Sequence, residues 1–271
     1  MHQTIAPTAR LLRGFAVDFL TAHEPEAARR IMDPDYCLSI GGFELSGRDD
    51  AYLPATVAQL EQFPGLCVTV HDVIIGEDAM AMRFTEHGVS IRNPGVAAAW
   101  GGITLFRVEQ GRMRRGWAEE DYFARKRQLK AGACDPVLPP ASAPWDQPAL
   151  PASAGTEAAV RRWLADAARV FTDPAVETIC SEGPAFASLV VPERIEIDAL
   201  FSAGPRGACH LVCHGRYAGG FPDIDAAYTG REVSLAVAGM ATLNADGSVA
   251  RMQLSADRLG LHRSLLDLSR G

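Results

Sequence analysis

The sequence predicts an α+β protein made of two related domains, each with helices first and a long antiparallel meander of strands after them. Helical spacing of apolar residues gives way to β-type alternation twice along the chain, and a proline-rich segment separates the two occurrences. A length of 271 residues with 48% hydrophobic residues is enough for two cores. We therefore predict domains at 1–131 and 156–271, joined by a Pro/Ala-rich linker at 132–155.

The elements of the first domain follow from apolar spacing and from turn residues. We predict helices over residues 8–22 and 25–32, and a third that runs from Asp49 or Asp50 to about residue 62. A short strand is expected at 36–40, ending at Gly41-Gly42. Longer strands with apolar alternation are expected at 66–75, 79–90, 98–108 and 113–123.

The same order of elements recurs after the linker. A helix capped by Thr156 is followed by predicted strands at 195–201, 208–217, 233–243 and 249–257. The two copies also align by residue: His87-Gly88 matches His214-Gly215, and Asp121 matches Asp257. We interpret this repeat as one domain duplicated. The second copy is shorter before its first long strand, so we expect it to have lost a wall of any cavity that the first copy has.

Charge and composition exclude several classes of protein. A net charge of −7 and a pI near 5.5 argue against nucleic acid or an anionic membrane surface as the main partner. No apolar segment is long enough for a membrane helix, and the N-terminal pattern lacks the features of a signal peptide, so we expect a cytoplasmic protein. The six cysteines are scattered, which is typical of reduced thiols.

The segment CHLVCH at 209–214 is the one local pattern that resembles a metal site. On a strand, residues four apart are separated by about 13 Å, which neither a shared zinc ion nor a disulfide can span. The glycine pairs of the chain do not follow a strand-to-helix phosphate-binding pattern. We therefore expect no metal and no organic cofactor.

The closing strand of the first domain places two carboxyl groups on one face. Trp117, Glu119 and Asp121 are spaced two apart, so their side chains point the same way from a strand. If Trp117 points into a core or cavity, both carboxyl groups are buried with it. Buried carboxylates are paired, hydrogen-bonded or used for proton transfer, because an isolated buried charge is costly.

Helices followed by a four-strand meander and a closing W-x3-D-x6-QL pattern, here Trp117, Asp121 and Gln128-Leu129, resemble the SnoaL-like polyketide cyclase family of the nuclear transport factor two-like, or ketosteroid isomerase-like, superfamily. The resemblance implies a cone-shaped sheet over its helices, with a pocket at the wide end. It also implies that Asp121 is the catalytic base and Trp117 a pocket aromatic. The family's Thr-His pair would fall near Val89-Ser90, where no histidine stands. A tandem pair would form a pseudo-dimer in place of the usual homodimer.

Asp121 therefore has two interpretations. As a general base it would need an apolar pocket that raises its pKa, with Trp117, Phe84 and Tyr36 as walls. As a structural residue it would cap the following helix at 122–130, and the matching Asp257 could do the same in the second copy. A cavity beside Asp121 without a basic partner would favour the enzyme.

Two further carboxyl groups are candidates. Glu119 could share a proton with Asp121 or orient it, and the alternative is a salt bridge to a nearby arginine, Arg83, Arg114 or Arg115. Glu86 lies two residues after Phe84, so the two side chains point to the same face of the strand and Glu86 is a third candidate acid. The alternative is a charged residue at the rim of the sheet. Tyr36 could donate a hydrogen bond to a substrate oxygen.

The resemblance implies a cofactor-independent acid-base enzyme of the cyclase, isomerase, dehydratase or epoxide-hydrolase class. Its substrate would be a small, mostly apolar, oxygenated metabolite held in the first domain. The alternative is a non-catalytic ligand-binding or scaffold protein whose second domain is a structural partner. In either case we expect a small-molecule ligand, no nucleic acid, no membrane, and a tandem chain that is a monomer or a homodimer.

Overall fold

The computed structural model describes residues 5–179 and 183–268. Over these ranges the chain forms two curved sheets, and each sheet is covered on its inner face by its own helices. The outer faces of the two sheets pack against each other. The protein is therefore an α+β tandem of two cone-shaped domains that form an intramolecular pseudo-dimer.

The first domain begins with the predicted helices. Helix α1 (Pro7–Arg13) continues as a wider π-helical segment, Gly14–Thr21, so the predicted single helix changes its winding halfway. Helix α2 is Pro25–Ile31, and helix α3 (Leu53–Gln62) follows a π-helical turn at Arg48–Tyr52. All three α-helices have a proline in the first turn, where the missing N–H costs nothing.

The first sheet contains six strands and is closed by helix α4 (Tyr122–Ala131). The predicted meander is present as β3 to β6, and each neighbouring pair in it is antiparallel. Strand β1 pairs with β6 in parallel, so the prediction of a purely antiparallel sheet is wrong at this edge. Strand β2 was not predicted. The strands are β1 (Met32–Ile40), β2 (Phe43–Ser46), β3 (Cys67–Ile75), β4 (Ala79–Val89), β5 (Ala97–Glu109) and β6 (Arg112–Glu120).

The second domain repeats this arrangement with fewer elements. Helix α5 (Ala154–Leu164) is capped by Ser153, whose hydroxyl accepts a hydrogen bond from the Thr156 N–H at 3.2 Å, so the predicted cap at Thr156 is wrong by three residues. Cys180 and the start of the short segment at 181–194 lie outside the described residues. The remaining elements are β7 (Val176–Thr178), α6 (Phe186–Leu189), β8 (Val190–Ala203), β9 (Arg206–Tyr217), β10 (Glu232–Leu243), β11 (Val249–Ala256) and α7 (Arg258–Leu268).

The order of strands supports the duplication. The first sheet has the order β2-β1-β6-β5-β4-β3, and the second has the order β7-β11-β10-β9-β8. In both sheets a short early strand pairs in parallel with the last strand, and three antiparallel pairings follow. Strand β4 therefore corresponds to β9, and β6 to β11. Within the described ranges, the second sheet has no strand equivalent to β2.

The outer faces of the two sheets form one apolar interface. It contains buried side chains from β3, β4 and β5 and from β8, β9 and β10, with Ile179 beside them. Near its centre the Ser255 hydroxyl donates a hydrogen bond to the Glu119 carbonyl at 2.8 Å. These two residues occupy equivalent positions in the two copies, which is expected at a pseudo-twofold axis. Both faces of each sheet are therefore buried, one under helices and one against the other domain.

The linker lies along the first domain. Backbone hydrogen bonds join Ala141 to Val70 at 2.8 Å and Leu150 to Ile75 at 3.0 Å, so the linker covers part of the β3 edge. Trp145 packs against the first core, as expected for the largest side chain of the segment. No helix in the described part of the chain is long and apolar enough to cross a membrane.

Candidate functional site

The first cone contains a cavity of about 650 Å³. It lies between the helices and the inner face of the sheet, and its body is lined by aromatic and aliphatic side chains. Volumes of this order are typical of sites for drug-sized ligands. The aromatic residues that line it are Phe15, Tyr36, Tyr52, Phe84, Phe106 and Tyr122, with Phe43 on strand β2.

Two carboxyl groups share this apolar cavity. Glu86 lies on β4 and Glu120 on β6, and both side chains line the cavity although they are almost fully buried. Strand β5 runs between them and contributes Gly102. A Cβ atom at Gly102 would lie 2.8 Å from both the Glu120 Cγ and the Phe84 Cζ atoms, so glycine is needed here to make room for them.

Hydrogen bonds hold each carboxyl group in place. The Trp100 Nε1–H donates to Glu120 Oε2 at 3.0 Å, and the Gln59 Nε2–H donates to Glu86 Oε2 at 2.8 Å. Arg125 donates from Nη1 to Gln59 Oε1 at 2.8 Å. Its guanidinium carbon lies 4.9 Å from the centre of the Trp100 ring, which keeps a positive charge close to both carboxyl groups.

The surroundings make the two carboxyl groups chemically different. Burial raises the pKa of Glu86 well above its usual value, and the negative charge of Glu120 raises it further, although Arg125, Trp100 and Gln59 act to lower it. Burial also raises the pKa of Glu120, but Tyr122, Arg125 and Trp100 all act to lower it. Since two nearby carboxylates avoid being ionised together, Glu86 holds a proton while Glu120 carries the charge. One group is then an acid and the other a base.

Tyr36 lines the same cavity. Its side chain is fully buried, and within the described residues its Oη atom has no hydrogen-bond partner. That oxygen is packed against strand β6, because a Cβ atom at Gly116 would lie 2.1 Å from it. Burial raises the pKa of the phenol well above its usual value, so it stays protonated. Since the oxygen has no surface open to the cavity, Tyr36 is a wall residue and not a donor to a ligand.

Of the six residues predicted from the sequence, three line the cavity: Tyr36, Phe84 and Glu86. The other three, Trp117, Glu119 and Asp121, lie on the opposite face of β6 and contact the second domain. The prediction that these three side chains share one face of the strand was correct, but the prediction that this face borders the cavity is wrong. Glu120, which was not predicted, is the carboxyl group of β6 that reaches the cavity.

Asp121 has the structural role. Its Oδ1 atom accepts the Ala124 N–H at 3.2 Å and so caps helix α4. Its carboxylate also pairs with Arg258 of the second domain, at 2.5 Å to Nη2 and 3.1 Å to Nε, and both side chains are buried. The helix-cap interpretation is confirmed. Because the Asp121 carboxylate is bound by Arg258 and does not line the cavity, the structure favours the cap over the catalytic base.

Glu119 also connects the two domains. Its Oε1 atom lies 2.9 Å from His210 Nε2, and His210 Nδ1 lies 2.8 Å from Asp198 Oδ2. The Gly41 N–H donates to Glu119 as well. Burial raises the pKa of Glu119 to about 7. Burial alone would lower the pKa of His210, but its hydrogen bonds to Asp198 and Glu119 raise it to about 9.

The arginines considered as partners of Glu119 pair with other residues. Arg83 pairs with Glu177 at 3.1 Å, Arg114 with Asp33 at 2.6 Å, and Arg115 with Glu44 at 3.0 Å. The Arg115 guanidinium also lies 5.4 Å from the centre of the Trp117 ring. Trp117 packs against the interdomain cluster, which explains why an aromatic residue stands at this position.

The second copy lacks the carboxyl pair. The alignment through His87 and His214 places Cys213 opposite Glu86, and the alignment through Asp121 and Asp257 places Ala256 opposite Glu120. Both replacements are buried in the second core. The carboxyl pair is therefore particular to the first copy. No group of three or more His, Cys, Asp or Glu side chains has metal-binding geometry within the described ranges.

Comparison with known proteins gives one family match and a set of similar structures. The model of the SnoaL-like domain family matches residues 12–116. IdmH from Streptomyces antibioticus, described as a candidate polyketide cyclase, is 21% identical over 45% of this chain and 98% of its own, with a TM-score of 0.40. A candidate SnoaL-like polyketide cyclase from Jannaschia sp. CCS1 is 17% identical over 46% of this chain and 92% of its own, with a TM-score of 0.42.

An LEH-like epoxide hydrolase from M. tuberculosis is 15% identical over 46% of this chain and 91% of its own, with a TM-score of 0.40. No curated protein matches the sequence. Each of these structures is similar to one half of the chain.

Proposed function

Because the first half of the chain is a SnoaL-like domain, we propose that the protein is a cofactor-independent acid-base enzyme whose reaction takes place in the cavity of that domain. Its substrate is a mostly apolar molecule that carries a carbonyl or similar oxygen. The observation that supports this proposal is the pair of Glu86 and Glu120, which line one largely apolar cavity where burial raises the pKa of both.

The proposed step is the removal of a proton from a carbon next to a carbonyl group. The Glu120 carboxylate takes the proton, and the electron pair of the broken C–H bond forms a carbon-carbon double bond. The carbonyl oxygen gains the charge and receives a proton from the Glu86 carboxyl group, which gives an enol. In the reverse direction the enol O–H proton returns to Glu86 as the Glu120 proton is delivered to the same carbon or to another one. Delivery to another carbon is isomerisation, and delivery to the same carbon after Glu120 has exchanged its proton with solvent is hydrogen exchange.

The raised pKa values predict a bell-shaped dependence of the rate on pH. Activity should rise as Glu120 loses its proton, through a pKa above the usual range for glutamate. It should fall at higher pH as Glu86, whose pKa burial and the charge of Glu120 raise, loses its own proton. An apolar cavity with this pair matches the need of an acid-base enzyme for carboxyl groups with raised pKa values.

A simple carbon acid tests the proposal without knowledge of the natural substrate. The assay follows the exchange of the α-hydrogens of 2-tetralone, an apolar ketone, in D2O by NMR, with wild type, Glu120→Gln and Glu86→Gln. We expect Glu120→Gln to lower the catalysed rate by about 100-fold or more, in line with the loss of a general base. Glu86→Gln should also lower the rate and remove the decrease at high pH.

Glu61→Gln is the matched control, because Glu61 is exposed on helix α3 and does not line the cavity. Thermal melts of all variants would show that they remain folded. A Glu120→Gln variant with the wild-type rate would contradict the proposal. Tight binding of 2-tetralone by wild type without any exchange would favour the alternative, a protein that binds a ligand but does not catalyse.

A further inference from the structure

The cavity is not enclosed by the first domain alone. Its outer wall is formed by the second domain, through Val212 on β9, Ser234 and Ala236 on β10, and helix α7. Since the outer face of the second sheet packs against the first domain, its uncovered end lies over the cavity mouth. The second domain therefore borders the space in which a ligand would lie.

The turn between β1 and β2 forms the other side of the mouth. Gly41 has a left-handed backbone, with φ of +56°, and a Cβ atom there would lie 3.3 Å from Asp257 Oδ2. The turn and the start of α7 are therefore in close contact. The hydrogen bond from the Gly41 N–H to Glu119, at 3.2 Å, holds the turn against the domain interface. Both sides of the mouth are fixed by contacts between the domains.

Helix α7 brings polar groups of both kinds to this mouth. Arg263 lines it and is exposed, and within the described residues it has no hydrogen bond or ion pair. The Ser264 hydroxyl donates to the Leu261 carbonyl at 2.8 Å, so its oxygen remains free to accept. Asp257 and Asp267 line the mouth as well, and Asp257 Oδ1 already accepts the Gly260 N–H at 2.8 Å.

This mixture of groups selects a kind of ligand. Arg263 is a donor only, the two aspartates are acceptors, and a serine hydroxyl can be either. Two carboxylates beside one arginine disfavour an anionic ligand, whereas a hydroxyl group can use donors and acceptors together. The interior of the cavity is lined by aromatic and aliphatic side chains, so the rest of the ligand must be apolar.

We propose that the cavity is an interdomain site for an amphipathic molecule with an apolar, ring-containing body in the first cone and a hydroxyl-bearing end bound by helix α7. The proposal rests on the proposed function only in taking this cavity as the substrate site. The second domain is then part of the recognition surface. Ser264 occupies the position that corresponds to Gln128 of the first copy, whose side chain instead bonds the Ala99 backbone.

A matched pair of probes tests this proposal: trans-stilbene, and 4-hydroxystilbene, which has the same body and one hydroxyl group. Fluorescence titration gives the dissociation constant of each for wild type, Ser264→Trp and Arg263→Met. Wild type should bind 4-hydroxystilbene about 3- to 10-fold more tightly than stilbene, because the net contribution of one ordinary hydrogen bond is on this scale. Arg263→Met should remove this preference and leave stilbene binding unchanged.

Ser264→Trp should weaken both probes at least 10-fold by blocking the mouth. Arg162→Trp on helix α5 is the control for a large residue on the surface of the second domain, because Arg162 is exposed and does not line the cavity. Ser264→Trp with wild-type affinity for both probes would overturn the interdomain site. Equal loss of both probes in Arg263→Met, or no binding of either probe by wild type, would overturn the assigned ligand class.

These results are separate from the exchange assay. Loss of exchange in Glu120→Gln together with wild-type probe binding in Ser264→Trp would retain the enzyme and reject the interdomain site. Probe binding that depends on Arg263 and Ser264, together with no exchange by wild type, would retain the site and reject the reaction.

Discussion

Replacement of Arg258 by methionine should destabilise the protein severely although Arg258 does not itself line the cavity. Arg258 is 0% exposed and its partner Asp121 is 2% exposed. The arginine makes two hydrogen bonds to this carboxylate, at 2.5 and 3.1 Å, and donates to the Pro184 carbonyl at 3.1 Å. Methionine retains the apolar stem but leaves the Asp121 carboxylate buried without its counter-charge. Removal of one partner of a buried pair costs about 3–5 kcal/mol of the free energy of unfolding.

The complementary change, Asp121→Asn, tests the same ion pair from the other side. Asparagine is as good a helix cap as aspartate, so the variant removes the charge and keeps the cap on α4. We expect a similar cost of about 3–5 kcal/mol, because the buried Arg258 guanidinium loses the negative charge of Asp121. The double variant leaves no unpaired buried charge. It should therefore be less destabilised than the sum of the two single variants by at least about 2 kcal/mol.

Urea unfolding measured by circular dichroism and by tryptophan fluorescence is the appropriate assay, because two probes reveal whether the domains unfold together. Arg194→Met is the control: the Arg194–Glu196 pair has side chains that are 60% and 55% exposed, and its loss should not be detectable. Single variants that lose less than about 1 kcal/mol, or a double variant equal to the sum, would refute the argument that the buried pair joins the domains.

Two further predictions concern the interface and the cavity wall. Because the pKa of His210 is raised to about 9 in the folded protein, its stabilising contribution of about 3 kcal/mol is complete below pH 6.5 and is lost as the pH rises through 9. Unfolding measured from pH 6 to pH 10 should show this decrease, and His210→Gln should flatten it; an equal slope in the variant would contradict the assignment. Gly116→Ala should cost about 1–3 kcal/mol, because its Cβ atom would lie 2.1 Å from the Tyr36 hydroxyl. Gly65→Ala, which meets nothing within 4 Å, should be neutral by thermal melting, and similar losses in both variants would show that the Tyr36 contact is unimportant.

Periodicity was sufficient to predict most of the fold. The predicted long strands correspond to β3 to β6 and β8 to β11, and the repeat of this pattern predicted the duplication. Pairing between distant strands was not predictable, because the parallel contact of β1 with β6 depends on the path of the chain and not on local spacing. Strand β2 has largely exposed residues and is only four residues long, so its apolar alternation is too short to predict a strand.

The error at the closing strand has a physical cause. Alternation shows which residues share a face, but both faces of β6 are buried, one by the cavity and one by the second domain. The pattern therefore could not distinguish the face of Trp117 and Asp121 from the face of Glu120. Comparison of the two copies could have identified the cavity face. Glu86 and Glu120, which are replaced by Cys213 and Ala256 in the second copy, are the carboxyl groups that line the cavity.

The W-x3-D-x6-QL pattern also has a structural explanation in this chain. Trp117 packs in the interdomain cluster, and Asp121 caps α4 and pairs with the second domain. Gln128 bonds both backbone groups of Ala99, at 2.9 Å to the N–H and 2.6 Å to the carbonyl. These residues hold helix α4 on the sheet and the sheet on its partner. A pattern that identifies a fold can therefore mark the contacts that maintain it.

Fusion of the two copies allows equivalent residues to take different roles. Asp121 is locked in a buried ion pair, whereas its counterpart Asp257 faces the cavity mouth. In a symmetric homodimer a substitution at this position would change the subunit interface and the rim of the pocket at the same time. In the tandem chain, Asp121 of the first copy belongs to the domain interface and Asp257 of the second copy belongs to the rim. The specificity of the rim can therefore change without loosening the assembly.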